Sequence, residues 1–348
     1  MKGKGCAYGT HRSIEPRGSL PQPAWKIDNT LDIWSNELLI DVDTLNIDAA
    51  SFRQIASEAQ GDEGKIADVI LETVAKRGKQ HNPVTGSGGM LVGRVLASGN
   101  DWPHAAESGK RIATLVSLSL TPLVIDEVLA VRPDTCQMDV KGKAVLFESG
   151  IYALLPRDMP EKMALAVLDV AGAPAQTARL ASPGQTVAVI GAGGKSGLLC
   201  LYQARKKVGA GGKVLALEFS QSGVERIKET GYADEIIVVD ATSPTQVLDK
   251  ICSVTNGQLA DLTINCVDIA GTEMSSILST KEGGTVYFFS MATSFTAAAL
   301  GAEGVGKDVT MIIGNGYTRG HAQMALDCLR EQPRLKAIFS RVYAGKEG

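Results

Sequence analysis

Residues 187–190 form a short apolar run that leads straight into Gly191-Ala-Gly193-Gly194-Lys195-Ser196-Gly197 and then into a helical stretch. That order has a chemical meaning. A helix N-terminus presents unpaired N–H groups and a partial positive charge, which suits a pyrophosphate. Glycines allow the tight turn, the close approach of backbone to phosphate, and close packing of helix on strand. The working spacing is Gly191-x-x-Gly194-x-x-Gly197, because Ser196 stands where a strict G-x-G-x-x-G needs its last glycine. Gly194-Lys195-Ser196 also matches the end of a nucleotide-triphosphate loop, but that motif needs glycine at position 189, where Val189 stands. Dinucleotide binding is therefore expected of Gly191, Gly193, Gly194, Lys195 and Ser196.

Other candidates lie at the ends of later runs. Glu218 closes the next one, 21 residues after Gly197. A carboxylate there accepts hydrogen bonds from the adenosine ribose and repels a 2′-phosphate, so NAD is expected. NADP is the alternative, left open by the adjoining Phe219-Ser220-Gln221. The plainer reading of Glu218 is an exposed strand-end charge. Cys266 and Val267 close a fourth run, and Ser290, Met291 and Ala292 close a fifth. Ligands of doubly wound sheets lie outside the carboxyl ends of the strands, so these five are expected on the nicotinamide side. Otherwise they are simply loop positions.

These groups need a frame. Apolar runs at 187–190, 213–218, 235–239, 261–267, 285–289 and 309–313 alternate with helical stretches at 195–208, 222–230, 244–253, 272–279 and 323–330. Strand and helix in alternation predict a parallel sheet covered on both faces, an α/β fold with a doubly wound Rossmann domain. The first half has strand-like runs at 38–45, 91–96, 111–120 and 143–146, joined by Gly- and Pro-rich turns. It has one helical region, 51–76, broken at Gly61. That half is expected to be a mainly β, partly closed barrel-like catalytic domain. A helix over 160–180 leads into the second module. The expected domains are 1–158 for substrate and 159–348 for the dinucleotide.

Composition removes other classes. In 348 residues, Lys+Arg 35 against Asp+Glu 38 leaves a net charge of −3, too little field to attract nucleic acid or an anionic membrane. Six scattered cysteines include no C-x-x-C pair, so neither a metal clip nor a disulfide framework is expected. The apolar stretch 112–131 is interrupted by Pro122 and Asp126-Glu127 and reads as buried strands, not a membrane span. The N-terminal residues are basic without an apolar core, so no secretory leader and a cytoplasmic location are expected. Glycine is in excess, with 38 residues. Beside the 191–197 cluster stands a second one, Gly86, Gly88, Gly89 and Gly93.

A barrel-like module followed by a Rossmann domain resembles the medium-chain dehydrogenase/reductase superfamily. Residues 39–48 resemble its second strand and following loop, and 88–95 resemble the segment where zinc members carry Gly-His-Glu. Here that segment reads Gly88-Gly89-Met90, and the loop that holds the zinc-ligating Cys reads Asn46-Ile47-Asp48. The structural zinc lobe is missing too. Zinc needs three protein ligands, which a lone His81 or His104 does not replace, so no metal is expected. More closely, Tyr8-Gly-Thr-His-Arg12, Leu20-Pro-Gln-Pro23, Lys26-Ile-Asp-Asn29 and the 82–90 segment resemble the L-erythro-3,5-diaminohexanoate dehydrogenase family. The resemblance implies NAD-dependent oxidative deamination of that diamino acid to 5-amino-3-oxohexanoate and ammonia, in anaerobic lysine degradation. A zinc-free quinone or enone reductase is the alternative, and a non-catalytic dinucleotide sensor is a third reading. The superfamily also implies a homodimer through the sheet edge, at 285–289 or 309–313. About 35 residues follow Ile313, a shortened return expected to serve oligomer contacts.

That reaction makes demands on side chains. An amine yields hydride only when neutral, so a base must take the ammonium proton before water adds to the imine. A carboxylate tuned by its surroundings suffices without metal. The second ammonium and the carboxylate of the substrate call for anionic groups and at least one Arg, Lys or helix N-terminus. Asp48 and Glu148 are the expected acid–base candidates, with His81 as a proton relay. Ser51, Asn82, Thr85 and Ser87 are expected to bind substrate. The competing roles are helix capping for Asp48, a solvated charge for Glu148 and turn chemistry for Thr85 and Ser87.

Overall fold

The computed structural model describes residues 2–104, 108–314 and 316–343. They divide into two units, Met1–Pro156 and Arg157–Gly348. In the first, a short ribbon of β1 (Ser13–Glu15) and β2 (Lys26–Ile27) precedes β3 (Leu38–Ile47), α1 (Ala49–Glu58) and α2 (Glu63–Arg77). Then come β4 (Gly89–Ser98), β5 (Arg111–Thr114), β6 (Leu123–Arg132), β7 (Gln137–Leu146) and β8 (Tyr152–Leu154). The six longer-range strands pair antiparallel in the order β6-β7-β3-β4-β5-β8. Among the described residues the ladder stays open between β6 and β8. β3 shows why a sheet forms here: Leu38, Ile40 and Val42 are buried while Asp41 is exposed, the period of two that one wetted face demands. Its buried face packs with Phe52, Ile55, Ile66, Ile70 and Val74 of the two helices.

Sequence boundaries shift in several places: β7 begins six residues before the expected 143–146. The expected strand 111–120 stops at Thr114, and Ser117 caps a short 3₁₀ turn, Leu118–Leu120. The chain then pairs again as β6, within the 112–131 stretch expected to hold buried strands, but most of its residues are half-buried or exposed. Helix 51–76 is indeed broken at Gly61, with Asp62 capping α2 and Gly78 closing it in a left-handed turn.

The second unit begins with α3 (Glu161–Leu168) and α4 (Gly172–Leu180), where one helix over 160–180 is expected. Pro174 has no N–H for the carbonyl of residue 170, which explains the break. β9 (Thr186–Ile190), α5 (Lys195–Val208), β10 (Lys213–Glu218), α6 (Gln221–Thr230), β11 (Glu235–Val238) and α7 (Pro244–Thr255) make the first half of a parallel sheet. β12 (Ala260–Asn265), α8 (Glu273–Ser279), β13 (Thr280–Phe288), α9 (Phe295–Gly304) and β14 (Thr310–Ile313) make the second. The order β11-β10-β9-β12-β13-β14 is that of a complete dinucleotide-binding sheet. β13 is interior, so residues 285–289 offer no free edge; β14 does. The residues after β14 form α10 (His321–Glu331) and α11 (Pro333–Tyr343). Ala325, Leu326, Leu329, Leu335, Ile338 and Phe339 are buried against the unit's own helices, while the opposite faces of α10 and α11 are exposed.

Candidate functional site

The glycine turn forms where β9 meets α5. Gly191 has φ +76°, and a Cβ there would lie 2.9 Å from Val267 and 3.1 Å from the Cys266 backbone. Gly193 has no room either, with Gly223 Cα at 2.5 Å and Glu218 Oε2 at 2.8 Å from an added Cβ. Gly197 meets the Gly191 carbonyl at 2.2 Å, fixing the close crossing of helix over strand. Gly194 is the N-cap of α5 and supplies no side-chain cap, so the first-turn N–H groups are left for a ligand or water. This cradle fits a pyrophosphate. The Lys195 ammonium pairs with Asp169 at 2.7 Å.

Glu218 is more than a strand-end charge. Its Oε2 accepts the Gly193 N–H at 2.9 Å, and Oε1 accepts the Phe219 and Ser220 N–H groups and the Ser220 hydroxyl. The carboxylate is thereby held against the turn. Cys266 places its thiol 3.9 Å from buried Cys200, leaving its backbone beside Gly191. Ser290 accepts the Ala292 N–H, and Met291 is exposed. All of these lie at the carboxyl ends of β9, β10, β12 and β13.

A buried polar network that the sequence reading missed holds the loops after β12 and β13. Asn265 Nδ2 donates to Thr272 Oγ1 and Ser276 Oγ, and its Oδ1 accepts the Val267 N–H. Glu273, also buried, accepts the Ser294 N–H at 2.7 Å. The available signal was Asn265 itself, a polar residue inside an apolar run.

In the first unit, Ser51, Asn82, Thr85 and Ser87 come together as expected. The Ser51 hydroxyl lies 2.5 Å from Thr85 Oγ1 and 2.6 Å from Ser87 Oγ. Asn82 Nδ2 donates to Gln54 Oε1 and the Ser51 carbonyl, while its Oδ1 accepts the Val84 and Thr85 N–H groups. Asn82 is thus a staple between α1 and the 82–87 loop. Ser51 is fully buried; Thr85 is exposed and Ser87 half-buried, so these two hydroxyls can meet a ligand. Gly89 has φ +103° and pairs with Ile47, which brings the second glycine cluster beside Asp48.

Asp48 caps α1, Oδ1 accepting the Ala50 N–H at 3.0 Å. The exposed carboxylate keeps Oδ2 without a hydrogen-bond partner among the described residues. Asp48 and Arg53 both act on the half-buried Cys136 thiol, so the three share this end of the sheet.

Glu148 does not join them. It follows β7, whose Leu146 pairs with Leu38 at the start of β3, whereas Asp48 follows the end of that ten-residue strand. At ~3.3 Å per residue the two carboxylates are roughly 30 Å apart, too far for one small substrate. Glu148 instead accepts from Asn36 at 2.8 Å, with Lys4 at 3.7 Å. His81 is also unsuited to relay protons. Burial, then the charges of Lys79 and Arg77, push its pKa down to about 4, and Arg77 donates to Nδ1 at 3.0 Å. Neighbouring Lys79 is buried, donates to the Pro21 and Gln22 carbonyls, and is pushed down to about 7 by burial and Arg77.

The Tyr8–Arg12 motif builds a scaffold at the Glu148 end. Buried Arg12 grips buried Glu37 through Nε (2.7 Å) and a terminal nitrogen (2.6 Å). His11 Nε2 lies 2.9 Å from Glu37 while its Nδ1 accepts the Cys6 N–H. Burial alone would raise the Glu37 pKa; the Arg12 and His11 bonds outweigh it and hold it at about 2.

Residues 11–156 match the family described as the L-erythro-3,5-diaminohexanoate dehydrogenase N-terminal domain. The chain is 57% identical to the L-erythro-3,5-diaminohexanoate dehydrogenase of Acetoanaerobium sticklandii over 342 residues, 98% of this chain and 99% of the relative. It is 55% identical to that of Fusobacterium nucleatum with the same coverage. Among solved structures, AibC superposes with a TM-score of 0.52 at 20% identity, covering 88% of this chain and 87% of that one. Alcohol dehydrogenase TADH from Thermus sp. ATN1 gives 0.50 at 20% identity, covering 89% and 86%. These structures share the fold. The near full-length identity to two curated relatives makes this chain a member of the L-erythro-3,5-diaminohexanoate dehydrogenase family.

Proposed function

We propose that this chain carries out NAD-dependent oxidative deamination of L-erythro-3,5-diaminohexanoate, giving 5-amino-3-oxohexanoate and ammonium. The observation that carries the reading is 57% identity across 98% of the chain to an enzyme of that name. A nicotinamide cofactor fits the glycine cradle, and when bound it accepts the hydride. NAD is preferred to NADP because the Glu218 carboxylate, fixed by Gly193, puts negative charge where a 2′-phosphate would sit. The enone reductase alternative draws on fold likeness alone.

The chain's own residues do the rest. Asp48 Oδ2 takes the proton from the C3 ammonium, freeing the lone pair that expels hydride. Water then adds to the resulting imine, and Asp48 returns a proton as ammonia leaves. Thr85 and Ser87 offer oxygen acceptors to the ammonium groups, with buried Ser51 fixing both hydroxyls. Arg53 on α1 supplies positive charge for the substrate carboxylate. In balance, substrate, oxidised cofactor and water give ketone, ammonium, reduced cofactor and a proton.

The test is absorbance at 340 nm with purified chain, the diamino acid and NAD. NADH formation is expected, and none with either NAD or NADP overturns the reading. Asp48→Asn isolates the base, because Asn caps helices as well as Asp does. Its kcat should fall by about 10²–10⁴ with stability unchanged; an unaltered kcat moves the base elsewhere. The protein is further proposed to act in the cytoplasm as a homodimer through β14, and a monomer mass by light scattering overturns that pairing. Among the described residues no helix is long and apolar enough to cross a membrane.

A further inference from the structure

The glycine turn is held at both polar atoms of one residue by side chains of opposite charge. Gly193 donates its N–H to Glu218 Oε2 at 2.9 Å, and its carbonyl accepts from Arg226 Nε at 2.8 Å. Backbone dimensions then keep those two side-chain atoms within ~10 Å of each other. α6 brings the arginine there. Gly223, in the first turn of that helix, donates its N–H to the Ser220 cap. It abuts the glycine turn so closely that a Cβ on Gly193 would stand 2.5 Å from Gly223 Cα. Arg226 follows Gly223 by three positions and shares its face of α6, and a long helical side chain leans back over the preceding turn. Glu218 closes on the same spot, its carboxyl carbon 2.5 Å from where a Gly223 Cβ would lie.

Bracing Gly193 occupies one of the five N–H groups of the guanidinium. The terminal nitrogens of Arg226 make no hydrogen bond or ion pair among the described residues, and the side chain is half-buried. The other cation at the turn, Lys195, is already paired with Asp169. A guanidinium fixed through Nε, with its remaining donors uncommitted, is preorganised for an oxyanion. Its place says which one. Arg226 comes from α6, which follows β10, so it stands on the Glu218 side of the turn and not at the N-terminus of α5. That is the side expected to hold the adenosine ribose, whereas the pyrophosphate belongs to α5.

We propose that Arg226 is a second determinant of cofactor choice that works against Glu218, its terminal nitrogens attracting a phosphate on the 2′-oxygen of the adenosine ribose. This rests on the dinucleotide reading above. Glu218 repels that phosphate and Arg226 offsets part of the repulsion, so the pair sets a graded preference for NAD and not an absolute one. NAD carries a neutral hydroxyl at the same position and depends far less on the guanidinium.

Fluorescence titrations of the full chain with NADH and NADPH test it, using wild type, Arg226→Gln, Glu218→Gln and the double variant. Arg226→Gln should weaken NADPH by about tenfold while NADH stays within about threefold of wild type. In the Glu218→Gln background, where NADPH binds more tightly, the same replacement should again weaken NADPH by about tenfold. Equal weakening of both cofactors makes Arg226 a brace for Gly193 alone and overturns the proposal. So does an NADPH affinity that the replacement leaves within twofold in the Glu218→Gln background. If Arg226→Gln fails to fold, Arg226→Met is judged by the same comparisons. Wild type that binds neither NADH nor NADPH refutes the dinucleotide reading itself, a separate failure.

Discussion

Replacing Glu37 by Gln tests whether the Tyr8–Arg12 motif is scaffold or chemistry. The carboxylate accepts two bonds from Arg12, one contact from His11 and the Trp34 N–H, and it is 1% exposed. Its pKa of about 2, against 4.5 for an unperturbed Glu, corresponds to about 3 kcal/mol of preferential stabilisation of the charged form. The folded value is the lower one. Stability from this group is therefore fully present above pH 4.5, about a quarter lost by pH 4, and gone once pH falls below about 2. Glu37→Gln keeps the shape but leaves the fully buried Arg12 guanidinium with the looser, partly exposed Asp28 at 3.8 Å as its counter-charge, a loss on the order of 3 kcal/mol. Urea unfolding of both proteins at pH 7 and pH 4 measures the gap, which should narrow at the lower pH. Turnover of folded Glu37→Gln, assayed well below its melting temperature, should stay near wild type because the pair lies with Glu148 and not with Asp48. A stable variant with collapsed kcat would refute the reasoning and make the His11–Glu37 pair part of the reaction.

Three further outcomes follow from the same distances. Gly197→Ala sets a methyl 2.2 Å from the Gly191 carbonyl, and fluorescence titration should show NADH binding at least tenfold weaker; normal binding contradicts the cradle. Glu218→Gln removes charge while keeping an acceptor for Gly193, so kcat/KM for NADP relative to NAD should rise by about tenfold, or ~1.4 kcal/mol; an unmoved ratio clears Glu218 of the choice. His81, held near pKa 4, is neutral above about pH 5 in the fold, whereas the unfolded chain takes up a proton below 6.5. Its contribution therefore drains stability as pH falls from 6.5 toward 4. His81→Asn should lessen that drain and leave the pH–rate profile from 5 to 9 unaltered; loss of a limb near 6.5 would reinstate the relay.

The Rossmann unit was legible because its four inner parallel strands are largely buried on both faces and the two half-exposed edge strands, β11 and β14, are still short apolar runs. Four of its helices were visible between those runs and α10 after the last of them. α9 was not, since Phe295–Gly304 is rich in alanine and glycine and has no strong apolar stripe. In the first unit, β6 was expected within 112–131 but its burial was overestimated from its apolar residues, and Glu148 was misjudged because antiparallel register cannot be seen locally. Nothing in the spacing of Leu38, Leu146 and Asp48 says which end of β3 each approaches. The Arg12–Glu37 pair, 25 positions apart, was invisible for the same reason. Hydroxyl and glycine clusters fared better, because Ser51 heads a helix and 82–89 is one continuous loop.

The two glycine clusters raise a common physical problem, and the structure answers it twice in one way. Glycine permits the left-handed turns at Gly191 and Gly89, yet it also gives the unfolded chain more freedom to lose on folding. A loop so composed does not hold its own shape, and a catalytic or binding loop must be placed to about half an ångström. Each cluster therefore stands beside a buried side-chain amide that spends its bonding capacity on the adjacent chain. Asn265 fixes the backbone at Val267, against which Gly191 turns, while Asn82 fixes Val84 and Thr85 ahead of Gly86, Gly88 and Gly89. Both amides donate back to a helix, Asn265 to the hydroxyls of Thr272 and Ser276 and Asn82 to Gln54 and Ser51. Leaving such buried donors unpaired costs ~1–3 kcal/mol each, so every bond in the staple penalises other loop conformations by a similar amount. Glycine thus sets where the backbone can go, and asparagine sets where it stays.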